Sequence, residues 1–272
     1  MTHMTEATTK ADDIFDLSLT VQETTQLNAT TAVLAFKSEL IAPLIKPGQF
    51  VNIKVNDTLA PLLRRPLSVH RVEGDIFEVM VKVVGSGTKL LYNALPGSTV
   101  QVLGPLGNSF DYARQDYDTA ILVSGGVGVA PMTILDDCLR QAGKEIFNYV
   151  GGRTASDIIA RKLTNLRIAT DDGSQGFKGT VVALLEQDFP EFAKKRVRIF
   201  SCGPNRMLQA LADFSMKKNI PCEVSLESVM GCGIGICYGC PVHVKNEQGE
   251  PDGHKLLCQH GPVMDAKQVV FE

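Results

Sequence analysis

Residues Thr119-Ala-Ile-Leu-Val-Ser-Gly-Gly-Val-Gly-Val-Ala-Pro-Met132 separate two different textures of the chain. The run Thr119–Ser124 is continuous and compact, which predicts a strand buried on both faces, as in a parallel sheet. It ends in Gly125, Gly126 and Gly128, and a helical pattern follows from about Met132 to Ala142. Strand, glycine turn and helix form the geometry in which dinucleotide phosphates lie against N–H groups at a helix start. The spelling is Gly-Gly-x-Gly-x-Ala-Pro, so the standard Gly-x-Gly-x-x-Gly fingerprint is absent.

Downstream, strand-like Glu145–Val150, Leu166–Thr170 and Arg198–Ser201 alternate with helical stretches such as Val181–Leu185. That alternation predicts βαβ units and a parallel sheet over residues 113–225. Ser201-Cys-Gly-Pro204 then sets Cys202, Gly203 and Pro204 at the carboxyl end of the sheet, where open α/β sheets bind ligands. The plainer reading makes Cys202 a small core residue and Gly203-Pro204 a helix start. Cys138 and Cys222 read as structural, Asp171–Ser174 as a turn, and Arg153 as a surface arginine with a 2′-phosphate as the alternative partner.

Upstream the pattern is short β-type runs broken by turn residues: Leu17–Val21, Thr31–Phe36, Gln49–Ile53, Leu67–His70, Ile76–Val84 and Val100–Leu103. Such spacing predicts an antiparallel barrel or sandwich over residues 14–112. Two stretches within it can meet a phosphate. Arg64-Arg-Pro-Leu-Ser68 offers guanidinium and hydroxyl donors, and Gly85-Ser-Gly-Thr88 offers an N–H nest at a helix start expected over Thr88–Ala94. Taken singly, each also fits an ordinary turn or helix cap.

The last block is rich in cysteine and glycine. Cys232-Gly-Ile-Gly-Ile-Cys237-Tyr-Gly-Cys240, with a fourth thiol at Cys258, has the Cys-x4-Cys-x2-Cys spacing that holds a plant-type [2Fe-2S] cluster. A four-thiolate zinc site is the rival, but zinc ribbons pair two Cys-x2-Cys knuckles and Cys258 stands alone. His70, His243, His254 and His260 read as polar loop residues, since four cysteines already complete the coordination. A block of this length, 226–272, is expected to fold around its metal.

The 272 residues are long enough for two domains, and 44% hydrophobic with 21% charged residues describes an ordinary globular chain. A net charge of −3 without a basic stripe argues against a nucleic-acid partner. No apolar run reaches the ~20 residues that cross a bilayer, so no membrane association is expected. Residues 1–13 read as a disordered tail without a signal-peptide core, which points to the cytoplasm.

In order along the chain, Arg-Pro-x-Ser, Gly-x-Gly-Thr, Gly-Gly-x-Gly-x-Ala-Pro and Cys-Gly-Pro resemble the ferredoxin–NADP reductase superfamily over about Leu17 to Glu223. With the cysteine block added, the chain is similar to the electron-transfer subunits of type B, NAD-dependent dihydroorotate dehydrogenases. The resemblance implies a flavin-binding β-barrel, a parallel-sheet nucleotide domain and a small C-terminal [2Fe-2S] module. It implies that Arg65, Pro66, Leu67 and Ser68 lie along FAD, with Met80, Val81 and Lys82 on the next flavin strand and Gly87 and Thr88 at the pyrophosphate. Relatives often carry arginine or tyrosine where Lys82 stands. Gly125, Gly126, Gly128, Cys202, Gly203 and Pro204 would line the NAD site, and Cys232, Cys237, Cys240 and Cys258 would hold the cluster.

The implied partner is an FMN-containing catalytic subunit that oxidises dihydroorotate to orotate in pyrimidine synthesis, in a heterotetramer of two of each. Electrons would enter at the cluster, pass singly to FAD and leave as hydride to NAD+. This chain would not oxidise dihydroorotate alone. Two alternatives stand beside this reading: the flavin and iron–sulfur subunit of a ferredoxin-dependent NADPH oxidoreductase or sulfide dehydrogenase, and a nucleotide-binding redox sensor with a zinc knuckle.

Overall fold

The two halves of strand β1, Phe15–Asn28, pair with different neighbours. Phe15–Thr20 run antiparallel to β6, Thr99–Leu106, whereas Val21–Asn28 run antiparallel to β2, Thr31–Lys37, after a bulge between Val21 and Glu23. One strand thereby joins the first and last edges of the sheet. With β3 (Phe50–Lys54), β4 (Arg65–Glu73) and β5 (Ile76–Lys82) the result is a closed antiparallel barrel in the order β1-β2-β5-β4-β3-β6. A barrel, and not a sandwich, is the outcome. Leu34, Phe36, Ile53, Phe77, Val79 and Val81 are fully buried. Gly104 lets β6 close on β3, since a Cβ there would lie 2.7 Å from Val51 Cγ1.

This computed structural model describes residues 13–271 apart from residues 57, 59 and 247. The expected tail therefore lies, except for Asp13, outside the described residues. Helix α1, Ser86–Tyr92, starts two residues before the expected Thr88. The Thr88 hydroxyl explains the shift: it accepts the N–H groups of Val84 (2.9 Å) and Gly85 (3.1 Å) from inside the first turn, leaving Gly85 as the cap.

The second fold is a seven-stranded sheet in the order β10-β9-β8-β7-β11-β12-β15. Its strands are β7 (Thr119–Gly125), β8 (Glu145–Gly152), β9 (Leu166–Thr170), β10 (Phe177–Lys178), β11 (Val197–Cys202), β12 (Cys222–Ser225) and β15 (Val263–Asp265). Neighbours from β10 through β12 pair in parallel, with helices α2 (Met132–Gln141), α3 (Val181–Asp188) and α4 (Asn205–Lys218) in the crossovers. Ile121, Leu122, Val123, Ile199 and Phe200 are buried, as a central parallel sheet requires. Fully buried Asp136 on α2 accepts from Asn148 Nδ2 (2.6 Å) and Thr164 Oγ1 (2.9 Å), tying the helix to β8 and to the turn before β9.

After β12 the chain makes a hairpin, β13 (Pro241–Lys245) with β14 (Pro251–Leu256), and a short helix α5 (Leu257–His260). Two compact units result. The barrel unit takes the chain to Ser109 together with Glu227–Val242 and Lys255–Val263; the other takes Phe110–Leu226, His243–His254 and Met264–Glu272. Residues beyond 226 are thus shared between the units. His70, expected in a loop, is instead fully buried within β4. Among the described residues no helix is long and apolar enough to cross a membrane.

Candidate functional site

In the barrel unit, Arg65, Pro66, Leu67 and Ser68 form the half-buried start of β4, opposite Ile53, Asn52, Val51 and Phe50 of β3. On β5, Met80 and Val81 are buried while Lys82 is half-buried at the strand end. The Arg-Pro-x-Ser and Gly-x-Gly-Thr segments meet: a Cβ on Gly87 would lie 2.5 Å from Arg65 Nε, so the guanidinium rests on the glycine. Arg65 also donates to the Leu63 carbonyl. The Thr88 hydroxyl is taken up in the cap. An arginine packed on a glycine at a helix start fits a pyrophosphate by charge and by space.

The four thiols also belong to the barrel unit. They come as two pairs. Cys240 Sγ and Cys258 Sγ are 3.3 Å apart and buried, while Cys237 N–H donates to Cys232 Sγ at 3.4 Å nearer the surface. Among the described residues, no group of three or more His, Cys, Asp or Glu side chains converges as a single metal ion needs. Two pairs suit a diiron cluster, in which each iron takes two protein ligands. The glycines give close access to sulfur: Cβ atoms on Gly231 and Gly239 would stand 3.3 and 3.4 Å from Cys237 Sγ. Gly233 and Gly235 have φ of +77° and +85°, and they sit directly against the amides of Asn52 and Gln259.

Charge in this loop is uneven. Burial opposes ionisation of Cys232, but N–H groups of Cys237 and Ile234 and the Cys237 thiol pull its pKa down to about 6. Burial, followed by the neighbouring Cys240 thiol, pushes Cys258 up to about 12. The helix bearing Cys258 is fastened to the barrel through Asn108: its Nδ2 donates to the Val263 carbonyl (2.8 Å), its Oδ1 accepts Val263 N–H (2.9 Å), and its own N–H donates to Gly261 (2.7 Å).

In the other unit, β7 runs into a 3-10 turn at Gly126–Val129, with Gly126 at φ +56°, before α2 begins. The expected direct passage from glycines to α-helix is therefore interrupted by one tight turn. Gly128 faces the Cys202 carbonyl and Gly203 Cα so closely that no Cβ fits. Gly125 and Gly203 both lie under Met207, whose Sδ would be 2.9 Å from a Cβ on Gly125. The structure thus brings Gly125, Gly128, Cys202 and Gly203 together at the carboxyl ends of β7 and β11, with Cys202 buried and Pro204 exposed at the start of α4. Arg153, past the end of β8, is 3.6 Å from Asp157.

Asn52, Gln259 and Met207 were not singled out in the sequence. Only Asn52 carried a signal there, as an amide between two apolar residues of a strand.

A six-stranded antiparallel barrel followed by a parallel sheet of this order defines a protein of the ferredoxin–NADP reductase-like class. The solved structure of an NADH-dependent reduced ferredoxin-NADP oxidoreductase, studied for flavin-based electron bifurcation, superimposes with a TM-score of 0.82 at 28% identity, covering 93% of this chain and 90% of that one. Residues 227–270 match the family model of the iron-sulfur cluster binding domain of dihydroorotate dehydrogenase B. The dihydroorotate dehydrogenase B (NAD(+)) electron transfer subunit of Bacillus velezensis is 37% identical over 93% of this chain and 98% of its own length. That of Geobacillus kaustophilus is 36% identical over 93% and 98%. The chain belongs to the family of dihydroorotate dehydrogenase B electron transfer subunits.

Proposed function

We propose that this chain carries electrons from a dihydroorotate-oxidising catalytic subunit to NAD+, working with a [2Fe-2S] cluster and FAD. The observation that carries the reading is the two-by-two arrangement of Cys232/Cys237 and Cys240/Cys258 on the flavin-type barrel, in a chain 37% identical to a named electron transfer subunit over nearly its full length. When bound, the flavin supplies exchange between paired and single electrons, and the cluster supplies single-electron traffic. The chain's own residues bind and orient. Arg65 to Ser68, Met80 to Lys82, Gly87 and the Thr88 N–H hold FAD; Gly125, Gly126, Gly128, Cys202, Gly203 and Pro204 receive the nicotinamide nucleotide; residues 226–272 present the cluster ligands. Substrate chemistry is assigned to the partner.

The partner is an FMN-containing subunit in a two-plus-two assembly. Val229, Ile236 and Tyr238 are 79%, 75% and 75% exposed on the cysteine loop beside exposed Cys237, an apolar surface suited to its docking. Tyr238 stands out at φ +55°, a conformation that a tyrosine adopts only under constraint. A thiolate-bound cluster suits the reducing cytoplasm.

Co-expression with the catalytic subunit tests the proposal. The loaded complex is expected to reduce NAD+ with dihydroorotate, while the isolated chain shows flavin and iron–sulfur absorbance and reduces an artificial acceptor with NADH. Dihydroorotate oxidation by the chain alone would sink it. The likeness to the ferredoxin-NADP oxidoreductase structure favours one other reading, a subunit of that kind of complex; a large second flavoprotein as the purified partner, in place of an FMN subunit, would establish it.

A further inference from the structure

Asn52 is at odds with the barrel around it. It lies on β3 between Val51 and Ile53, and all three are fully buried. Its Nδ2 donates to the carbonyl of Cys232 at 3.1 Å, whereas its Oδ1 is buried without a hydrogen-bond partner. Turning the amide over would set two carbonyl oxygens face to face, so the orientation is decided by Cys232. Gly233 is seated on the same side chain: a Cβ there would lie 2.7 Å from Asn52 Nδ2, and its φ is +77°. On the other side Asn52 is the register partner of Pro66 in the Arg65–Ser68 strand, and its carbonyl accepts Arg64 Nη1 at 3.3 Å.

A buried amide with one acceptor unmet is a poorer barrel residue than an apolar side chain of the same shape. Its use is in the loop. Beyond the held carbonyl, N–H groups of Ile234 and Cys237 both reach Cys232 Sγ at 3.4 Å. Donors aimed at a ligand sulfur stabilise the more negative, reduced state of a cluster and raise its reduction potential. We propose that Asn52 is a positioning residue for the iron–sulfur centre: by holding the Cys232 carbonyl it keeps the Ile234 and Cys237 N–H groups on the Cys232 sulfur and sets the potential of the centre beside the flavin strand. The proposal rests on the reading of the four cysteines as a [2Fe-2S] site.

The test uses the complex with its catalytic subunit, comparing wild type with Asn52→Leu, which removes the donor, and Asn52→Gln, which restores one. Iron, sulfide and FAD contents, the EPR spectrum of the reduced centre and its midpoint potential in an EPR-monitored titration are the readouts. Asn52→Leu is expected to retain FAD and to show a lower midpoint potential with an altered EPR signal, and Asn52→Gln to move both back toward wild type. Selective loss of iron from Asn52→Leu, with FAD kept and iron restored in Asn52→Gln, supports the same role. An iron-replete Asn52→Leu with wild-type spectrum and potential overturns it, as does equal loss of FAD and iron from both variants, which would make Asn52 a barrel residue only. Wild-type complex free of iron would instead overturn the cluster reading itself.

Discussion

Burial works against a charge on Cys232, yet the N–H groups of Cys237 and Ile234 win and bring its pKa to about 6. The sign follows directly: a lowered thiol pKa means thiolate above that pH and thiol below it. In metal-free protein, alkylation at Cys232 should rise as pH passes through about 6 and level off near neutrality; peptide mapping after iodoacetamide pulses reads it. Two glycines behave differently under the same substitution. Gly128→Ala drives a methyl into the Cys202 backbone, which cannot yield, and should cost about 1–3 kcal/mol with loss of nucleotide binding. Gly87→Ala meets only the flexible end of Arg65, so the fold should hold while FAD affinity drops roughly tenfold, the loss of one charge-assisted hydrogen bond measured by flavin titration. The thiols and both glycine turns were legible in the sequence because each is a local pattern. Asn52 was not, since its partner Cys232 lies far along the chain.

Elements were read best where the apolar run is unbroken. Strands β7, β8 and β11 follow the expected runs because they are largely buried and continuous. The second half of β1, Gln22-Glu-Thr-Thr-Gln-Leu-Asn28, was missed: its polar residues are exposed or half-buried, and only pairing with β2 makes them a strand. The hairpin β13/β14 escaped for the same reason, with exposed Pro251–His254. Helix α2 owes its seat to a polar contact within the fold. Asp136→Ala removes the acceptor shared by Asn148 and Thr164 and should destabilise the protein by about 2–3 kcal/mol in chemical denaturation, because both donors are left without it.

On the scale of the whole molecule, the cysteine segment is part of the barrel unit and also returns chain to the other one. Removing the cluster by oxidation and chelation should therefore raise amide exchange in residues 227–242 and 255–263 and leave β7, β8 and β11 protected, by hydrogen-exchange mass spectrometry. The docking surface gives a separate prediction. Ile236→Asp or Tyr238→Asp should weaken association with the catalytic subunit at least about tenfold in a pull-down titration without loss of FAD, since a charge would then have to be buried on an apolar patch. Wild-type affinity in both variants would place the interface elsewhere.

By itself the sequence determined the chemistry: four thiols at cluster spacing, glycine turns after buried strands, and an arginine-led strand, all set by neighbours a few residues apart. That the β-rich half closes into a barrel followed from long-range pairing, because closure depends on β1 pairing with both β2 and β6. The tertiary structure brought Cys240 Sγ to Cys258 Sγ and the Cys237 N–H to Cys232 Sγ. It also placed an amide of β3 under the first cysteine, 180 positions away, a contact made by packing and not by local pattern.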